Sequence, residues 1–359
     1  MTKAVQRKSE YDWTADDIAF ERRIRVHADT VLEDPKQWAQ HDLEPEQWVD
    51  LASLYESYGK YDDAERFYKL ALDGRDPLQS EPDQAILAIT PRLAKLYRLQ
   101  SRPTLAIPLY RQYLETNGDL SDVATARVKV RLAMAVHNEG QYEEAEKLMR
   151  SGITVLEKHL GPKKVEVLAA RNDLGSTLLR LKRYDEAKDE YQYVLDQLKE
   201  VVGMENPFTM RTLQNLARYY NLRGDYTRAL PMFEQAFDLR RRVLGLEHPS
   251  TLRTWHNLAY VHCLLGQMNE AENMFASVVA AKEKVLGPLH WDTLNAMTGL
   301  ANIYRTTGQT AKAHDLYKKT LERLEKDTDS RRQKMIDDIQ QTLEADRVGT
   351  GGRVAHVIV

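Results

Sequence analysis

The sequence predicts an all-α fold, a superhelical solenoid of about seven helix hairpins, on three observations. One pattern of apolar and aromatic residues recurs seven times along the 359 residues. Each half of that pattern has helical period. Glycine (17) and proline (12) both fall below ordinary usage, which disfavours a loop-rich β fold.

The repeat reads Leu-Ala-x-x-Tyr, then Gly-x-Tyr-x-x-Ala, then an aromatic residue, a small residue and Leu. The leading leucines are Leu51, Leu93, Leu132, Leu174, Leu216, Leu258 and Leu300, so the steps are 42, 39 and then 42 four times. In the first copy, Leu51, Ala52 and Tyr55 make one helical stripe, and Ala64, Tyr68 and Ala71 make a second. Gly59 between them suits the left-handed residue that ends a helix. A small residue of the Ala64 type lets the two helices approach closely. One hairpin cannot bury its apolar face alone, so neighbours must stack to complete the core.

In chain order, residues 1–44 form a flank in which 15–33 is expected to be helical, with Ile18, Ile24 and Val31 covering the first hairpin. Residues 45–325 hold the seven repeats. The second copy has Ser101 at its turn and Pro91 and Pro108 inside its helices, so a kink or a late start is expected at Pro91. The fourth has Lys182 where glycine belongs, which predicts a strained or differently shaped turn. Asn206-Pro207 and His248-Pro249 mark helix starts, because asparagine caps a helix and proline suits its first turn. Within 326–347, residues 328–346 read as a polar capping helix carrying Met335, Ile336, Ile339 and Leu343. Residues 348–359, with Gly349-Thr350-Gly351-Gly352, read as a flexible tail.

With Leu51 taken as position 7 of the unit, Ala52 falls at 8, Tyr55 at 11, Ala64 at 20 and Tyr68 at 24, while Trp48 and Trp255 fall at 4. These residues resemble the tetratricopeptide repeat (TPR), whose usual period is about 34. The 42-residue period, with linkers at 241–252 and 283–294, resembles the kinesin-light-chain type of that repeat. The resemblance covers about 45–325 and implies a right-handed superhelix. Residues 1–45 are too short and irregular for the heptad coiled coil of kinesin light chains, so the chain is not expected to be a kinesin light chain proper.

Lys+Arg is 51 and Asp+Glu is 54, a net charge of −3 that does not fit a bulk nucleic-acid binder. The single cysteine, Cys263, excludes an intramolecular disulfide and a multi-cysteine zinc site; a buried free thiol in a repeat is the plain reading. No apolar run has the length of a membrane span, and the N-terminus lacks an apolar signal stretch. A cytoplasmic protein that binds neither nucleic acid nor membrane is expected. No phosphate-binding loop, zinc-protease, hydrolase or kinase signature occurs. His256 and His262 lie six apart and face different ways on a helix, so they make no metal pair. Acidic groups such as Asp62-Asp63, Glu143-Glu144 and Asp185-Glu186 open second helices, where they complement the helix dipole. No catalysis and no cofactor are expected.

In this repeat family the first helix of each hairpin lines the concave surface. Positions 2, 5, 6, 9, 12 and 13 form one face of that helix. This stripe contributes −3 in the first copy and +9 over the other six, so it totals +6 and the rest of the chain −9. The groove residues singled out are Lys95, Arg127, Arg131, Asn172, Arg211, Asn215, Arg218, Asn221, Arg253, Asn257, Tyr260, Asn295, Asn302 and Arg305. Asparagine amides can bond an extended backbone, and arginine offers planar donors to carboxylates. In kinesin light chains, Asn and Arg of first helices bind acidic cargo peptides; Asn215 and Asn257 stand in the matching Asn-Leu-Ala context. Each arginine can instead pair with a carboxylate of a neighbouring helix. The expected function is a non-catalytic adaptor or scaffold that takes an acidic, extended or helical segment of a partner protein. The alternative is a regulatory subunit or enzyme that uses the groove for a small acidic ligand. Self-association through an end of the array is a third arrangement.

Overall fold

The computed structural model describes residues 45–57, 60–72, 84–100, 102–117, 122–324 and 330–347. Among these residues there are fifteen α-helices and no strand. The chain divides into two units, Met1–Thr212 and Leu213–Val359.

The first unit holds α1 (Pro45–Ser57), α2 (Tyr61–Ala71), α3 (Gln84–Leu99), α4 (Pro103–Asn117), α5 (Val123–Asn138), α6 (Tyr142–Leu160), α7 (Val165–Arg180) and α8 (Tyr184–Val201). The division falls inside α9 (Pro207–Leu222). The second unit continues with α10 (Tyr226–Val243), α11 (Pro249–Leu264), α12 (Met268–Leu286), α13 (Trp291–Thr306), α14 (Thr310–Leu324) and α15 (Ser330–Arg347). Within each unit consecutive helices pack in antiparallel pairs, and each pair packs on the next, as in a TPR solenoid.

The repeat leucines and alanines explain this packing. Ala64, Ala106, Ala145, Ala187, Ala229, Ala271 and Ala313 are all fully buried where first and second helices cross. The position-24 aromatics Tyr68, Tyr110, Tyr191, Phe233, Phe275 and Tyr317 fill the space beside them. In the fourth repeat Gly175 stands where most copies have alanine, and a Cβ there would lie 2.8 Å from Cε1 of Tyr191.

The turns follow one plan. Gly140, Gly224, Gly266 and Gly308 have φ of 83°, 75°, 75° and 79°. Lys182 takes the same left-handed conformation with φ of 61°, and Arg183 N donates to Leu178 O at 2.9 Å, as Gln141 N donates to Val136 O at 3.0 Å. The turn at Lys182 therefore keeps the common shape, and the cost falls on a side chain held in a glycine conformation. The late start expected at Pro91 does not occur. Helix α3 begins at Gln84 and runs through Pro91, because Ile89, Leu93, Ala94 and Leu96 form one continuous buried face. Asn206 caps α9 by accepting from Phe208 N at 2.9 Å. His248 and His290 cap α11 and α13 in the same way, each Nδ1 accepting a backbone N–H at 3.1 Å.

Helix α15 packs on α14 with Met335 and Ile339 buried. The helix expected at 15–33, the turn at Gly59 and the tail 348–359 lie outside the described residues.

Candidate functional site: the face of the first helices

Three stripe cations of the first unit, Lys95, Arg127 and Arg211, are held by carboxylates of neighbouring helices, while Arg92 is exposed. Lys95 of α3 pairs with Glu56 of α1 at 2.9 Å. Arg127 of α5 grips Glu166 of α7 with two bonds, 2.6 and 2.8 Å. Arg211 of α9 approaches Asp173 of α7 at 3.4 Å, and its guanidinium lies 5.1 Å from the Phe208 ring centroid. Arg131 is half-buried near Tyr110, whose hydroxyl is pushed up to about 12, mainly by burial. Asn172 is only 1% exposed and donates to Asp173 Oδ1 at 3.2 Å. Asn172 is thus a buried residue rather than a groove residue. Position 5 of the unit turns towards the adjoining helices, as the burial of Gln214 and Thr298 also shows.

The second unit differs. Arg218 on α9 and Arg253 on α11 are exposed, and Asn215, Asn221, Asn257, Tyr260 and Asn295 are half-buried beside them on the first helices. Helices α11 and α13 touch directly. Asn221 Oδ1 is buried and accepts no hydrogen bond. At the far end, Arg305 of α13 pairs with Asp346 of α15 at 3.3 Å, and Asp346 also meets His314 at 3.2 Å.

The aromatic at position 24 accounts for part of this contrast. In three of the four repeats where it is tyrosine, its hydroxyl reaches the position-9 side chain of the first helix; the Tyr110 hydroxyl is buried without a partner among the described residues. Tyr68 shares a hydrogen bond with Ser53 at 3.3 Å, Tyr191 donates to Ser176 at 3.0 Å, and Tyr317 donates to Asn302. Repeats five and six carry Phe233 and Phe275 instead. A phenyl ring offers no hydrogen bond, so position 9 in those repeats, Arg218 and Tyr260, is not drawn inward by its own second helix.

Sequence reasoning missed two buried cations on second helices. Arg240 of α10 and Lys282 of α12 are each 3% exposed. Arg240 donates to Gln214 Oε1, Thr254 Oγ1 and Ser250 O. Lys282 donates to the Asp292 carbonyl at 3.1 Å, and burial together with the nearby Arg253 charge pushes its ammonium down to about 8 despite Asp292. Their signal was present in the repeat: from the third copy on, position 31 reads Leu156, Leu198, Arg240, Lys282 and Leu324, after Arg75 and Asn117 in the first two. Cys263 is a free, half-buried thiol 4.0 Å from Met268 Sδ, and burial pushes it up, away from the reactive thiolate.

Family comparison agrees with this architecture. The tetratricopeptide repeat description matches residues 122–200, 166–242, 208–284 and 250–326, and a second description of the same repeat matches 47–82. The chain belongs to the tetratricopeptide repeat family. A curated relative, the Arabidopsis thaliana protein kinesin light chain-related 2, is 23% identical over 191 residues. That match covers 52% of this chain but only 29% of the relative, so the chain spans under a third of that protein's length. A Podosopora anserina structure of kinesin-light-chain type with nearly identical TPR-like repeats is 26% identical, with a TM-score of 0.51, over 57% of this chain and 96% of that one. The TPR sensor-bearing signal transduction ATPase PH0952 of Pyrococcus horikoshii shares the fold at 15% identity, with a TM-score of 0.59, over 83% of this chain and 44% of that one. The TPR array is of the kinesin-light-chain type, and TPR arrays serve generally as protein-interaction scaffolds. Among the described residues, no helix is long and apolar enough to cross a membrane.

Proposed function

We propose that this chain is a non-catalytic adaptor whose second unit takes an acidic segment of a partner protein on the face of its first helices. The observation that carries this reading is the exposure of Arg218 on a face where Lys95, Arg127 and Arg211 of the first unit already hold carboxylates. Asn215, Asn221 and Asn257 supply backbone partners on the same face, and Tyr260 supplies an amphipathic surface. The likeness to kinesin-light-chain repeats supports the same reading. Exposed ion pairs contribute only about 0.2–1 kcal/mol each, so several must act together. Affinity is expected near the micromolar level, roughly −8 kcal/mol. A labelled glutamate-rich peptide followed by fluorescence anisotropy tests the proposal. Binding that weakens as salt rises supports it, and no binding at low salt rejects it.

A further inference from the structure

Helix α15 stands where the first helix of an eighth repeat would stand. Arg332 donates to Leu289 O at 3.1 Å, Thr298 Oγ1 lies 3.7 Å from Met335 Sδ, and Arg305 meets Asp346 at 3.3 Å. These contacts join residues 43, 37 and 41 apart, close to the repeat step, so α15 runs alongside α13 in the same direction. No second helix completes it among the described residues. Its far side carries the exposed Gln333, Lys334, Asp337, Gln340, Gln341 and Glu344. Among its described residues, Arg332, Met335 and Ile339 are the buried ones. A helix packed on one side over so small an apolar footprint is released at lower cost than a helix inside the array.

The acidic half of α15 has the chemistry proposed for the partner. Residues 335–346 hold Asp337, Asp338, Glu344 and Asp346 and neither lysine nor arginine. Asp346 reaches Arg305, a cation of the groove stripe, and also His314 of α14 at 3.2 Å. The side chains of Arg305 and Asp346 are 17% and 11% exposed, so a further carboxylate has little access to Arg305 while Asp346 holds it. The other carboxylates that hold stripe cations, Glu56, Glu166 and Asp173, lie on α1 and α7, each packed against a second helix of its own. Asp346 lies on a helix without one.

We infer that α15 is a tethered competitor of the acidic segment. Asp346 holds Arg305 in the place of a partner's carboxylate, and the binding face extends to repeat seven only when α15 lets go. This rests on the proposed acidic-segment function and adds its regulation. A tethered acid acts at an effective concentration of about millimolar order. A lone carboxylate therefore does not displace it, whereas a segment already anchored at Arg218 does.

The probe is fluorescent dodecaglutamate at low salt. It is titrated against the full chain as wild type, Asp346→Ala, Asp337→Ala, Arg305→Gln, Arg218→Glu and the Asp346→Ala, Arg305→Gln double variant. Alanine keeps α15 helical and clears the space before Arg305. Asp346→Ala should bind about threefold more tightly than the wild type, the gain from one further ion pair. Asp337→Ala removes an exposed carboxylate from the same helix, controls for net charge and should bind as the wild type does. Arg305→Gln alone should change nothing, because Arg305 is already held, and in the double variant it should cancel the gain. The competitor is overturned if Asp346→Ala binds no more tightly than the wild type. A gain that persists in the double variant, or that Asp337→Ala matches, overturns it too. If Arg218→Glu still loses binding in those cases, the acidic-segment reading stands without it. A wild type that does not bind dodecaglutamate overturns both.

Discussion

Arg127 on α5 holds Glu166 on α7 through Nε to Oε1 at 2.6 Å and Nη2 to Oε2 at 2.8 Å. The pair joins the first helices of two consecutive repeats, so a cation of the stripe serves the stacking of the array instead of a ligand. Arg127 is half exposed while Glu166 is nearly buried, so the pair is partly screened by water. Glu166→Gln is expected to lower stability by about 1 kcal/mol, because a bidentate charge-assisted pair is lost while volume is kept. Chemical denaturation measures this, and the deficit should shrink in high salt.

Lys282→Leu is expected to stabilise the protein by about 1–4 kcal/mol, since a buried ammonium is replaced by the side chain that three other repeats already pack there. The gain should show as a higher melting temperature. A loss of stability would mean that the Asp292 carbonyl compensates the charge fully.

The same residue sets a pH dependence. The Lys282 ammonium loses its proton near 8 in the folded chain and near 10.5 once unfolded. Between those values the unfolded chain binds more protons, so this group adds stability as pH rises from about 8 towards 10. Tyr68 and Tyr317 oppose it above 10, because burial raises both hydroxyls. The stability advantage of Lys282→Leu over the wild type is therefore expected to narrow between pH 8 and 10. An advantage that stays constant across that window would contradict the shift.

Gly175→Ala is expected to destabilise by about 1–3 kcal/mol, as overpacking does in a close-packed core. The added Cβ meets the Tyr191 ring at 2.8 Å, and Tyr191 is held in place by its bond to Ser176. Conversely, Lys182→Gly relieves a left-handed lysine and should stabilise by about 0.5–1 kcal/mol. Both changes can be read by calorimetric melting.

The hairpins were legible in the sequence because a 42-residue step repeats leucine, alanine and aromatic residues at helical spacing, and burial of the Ala64 series follows from it directly. The Asn206 cap and the glycine turns were legible for the same local reason. Charge pairing between neighbouring helices was not. Helical period assigns Lys95 and Arg127 to a face, but which carboxylate meets them depends on how two helices are staggered, and that is set by packing. Asn172 is read into the groove because position 5 belongs to the helical stripe 2, 5, 6, 9, 12 and 13, whereas Asn172, Gln214 and Thr298 at that position are buried. Proline rules predict a kink or a late start at Pro91; the late start does not occur, since the buried face of Ile89 and Leu93 carries the helix through it. His248 and His290 were not recognised as caps, since an imidazole accepts a backbone N–H only as one tautomer.

The acidic-segment account is tested most directly by calorimetric titration of a glutamate-rich peptide into the wild type and into an Arg218→Glu, Arg253→Glu double variant at two salt concentrations. Both arginines are exposed, so the variant should fold as the wild type does. The account predicts salt-sensitive binding to the wild type and a loss of at least about tenfold in the double variant. Equal affinity in the two proteins would contradict it and would move the partner's site off this face.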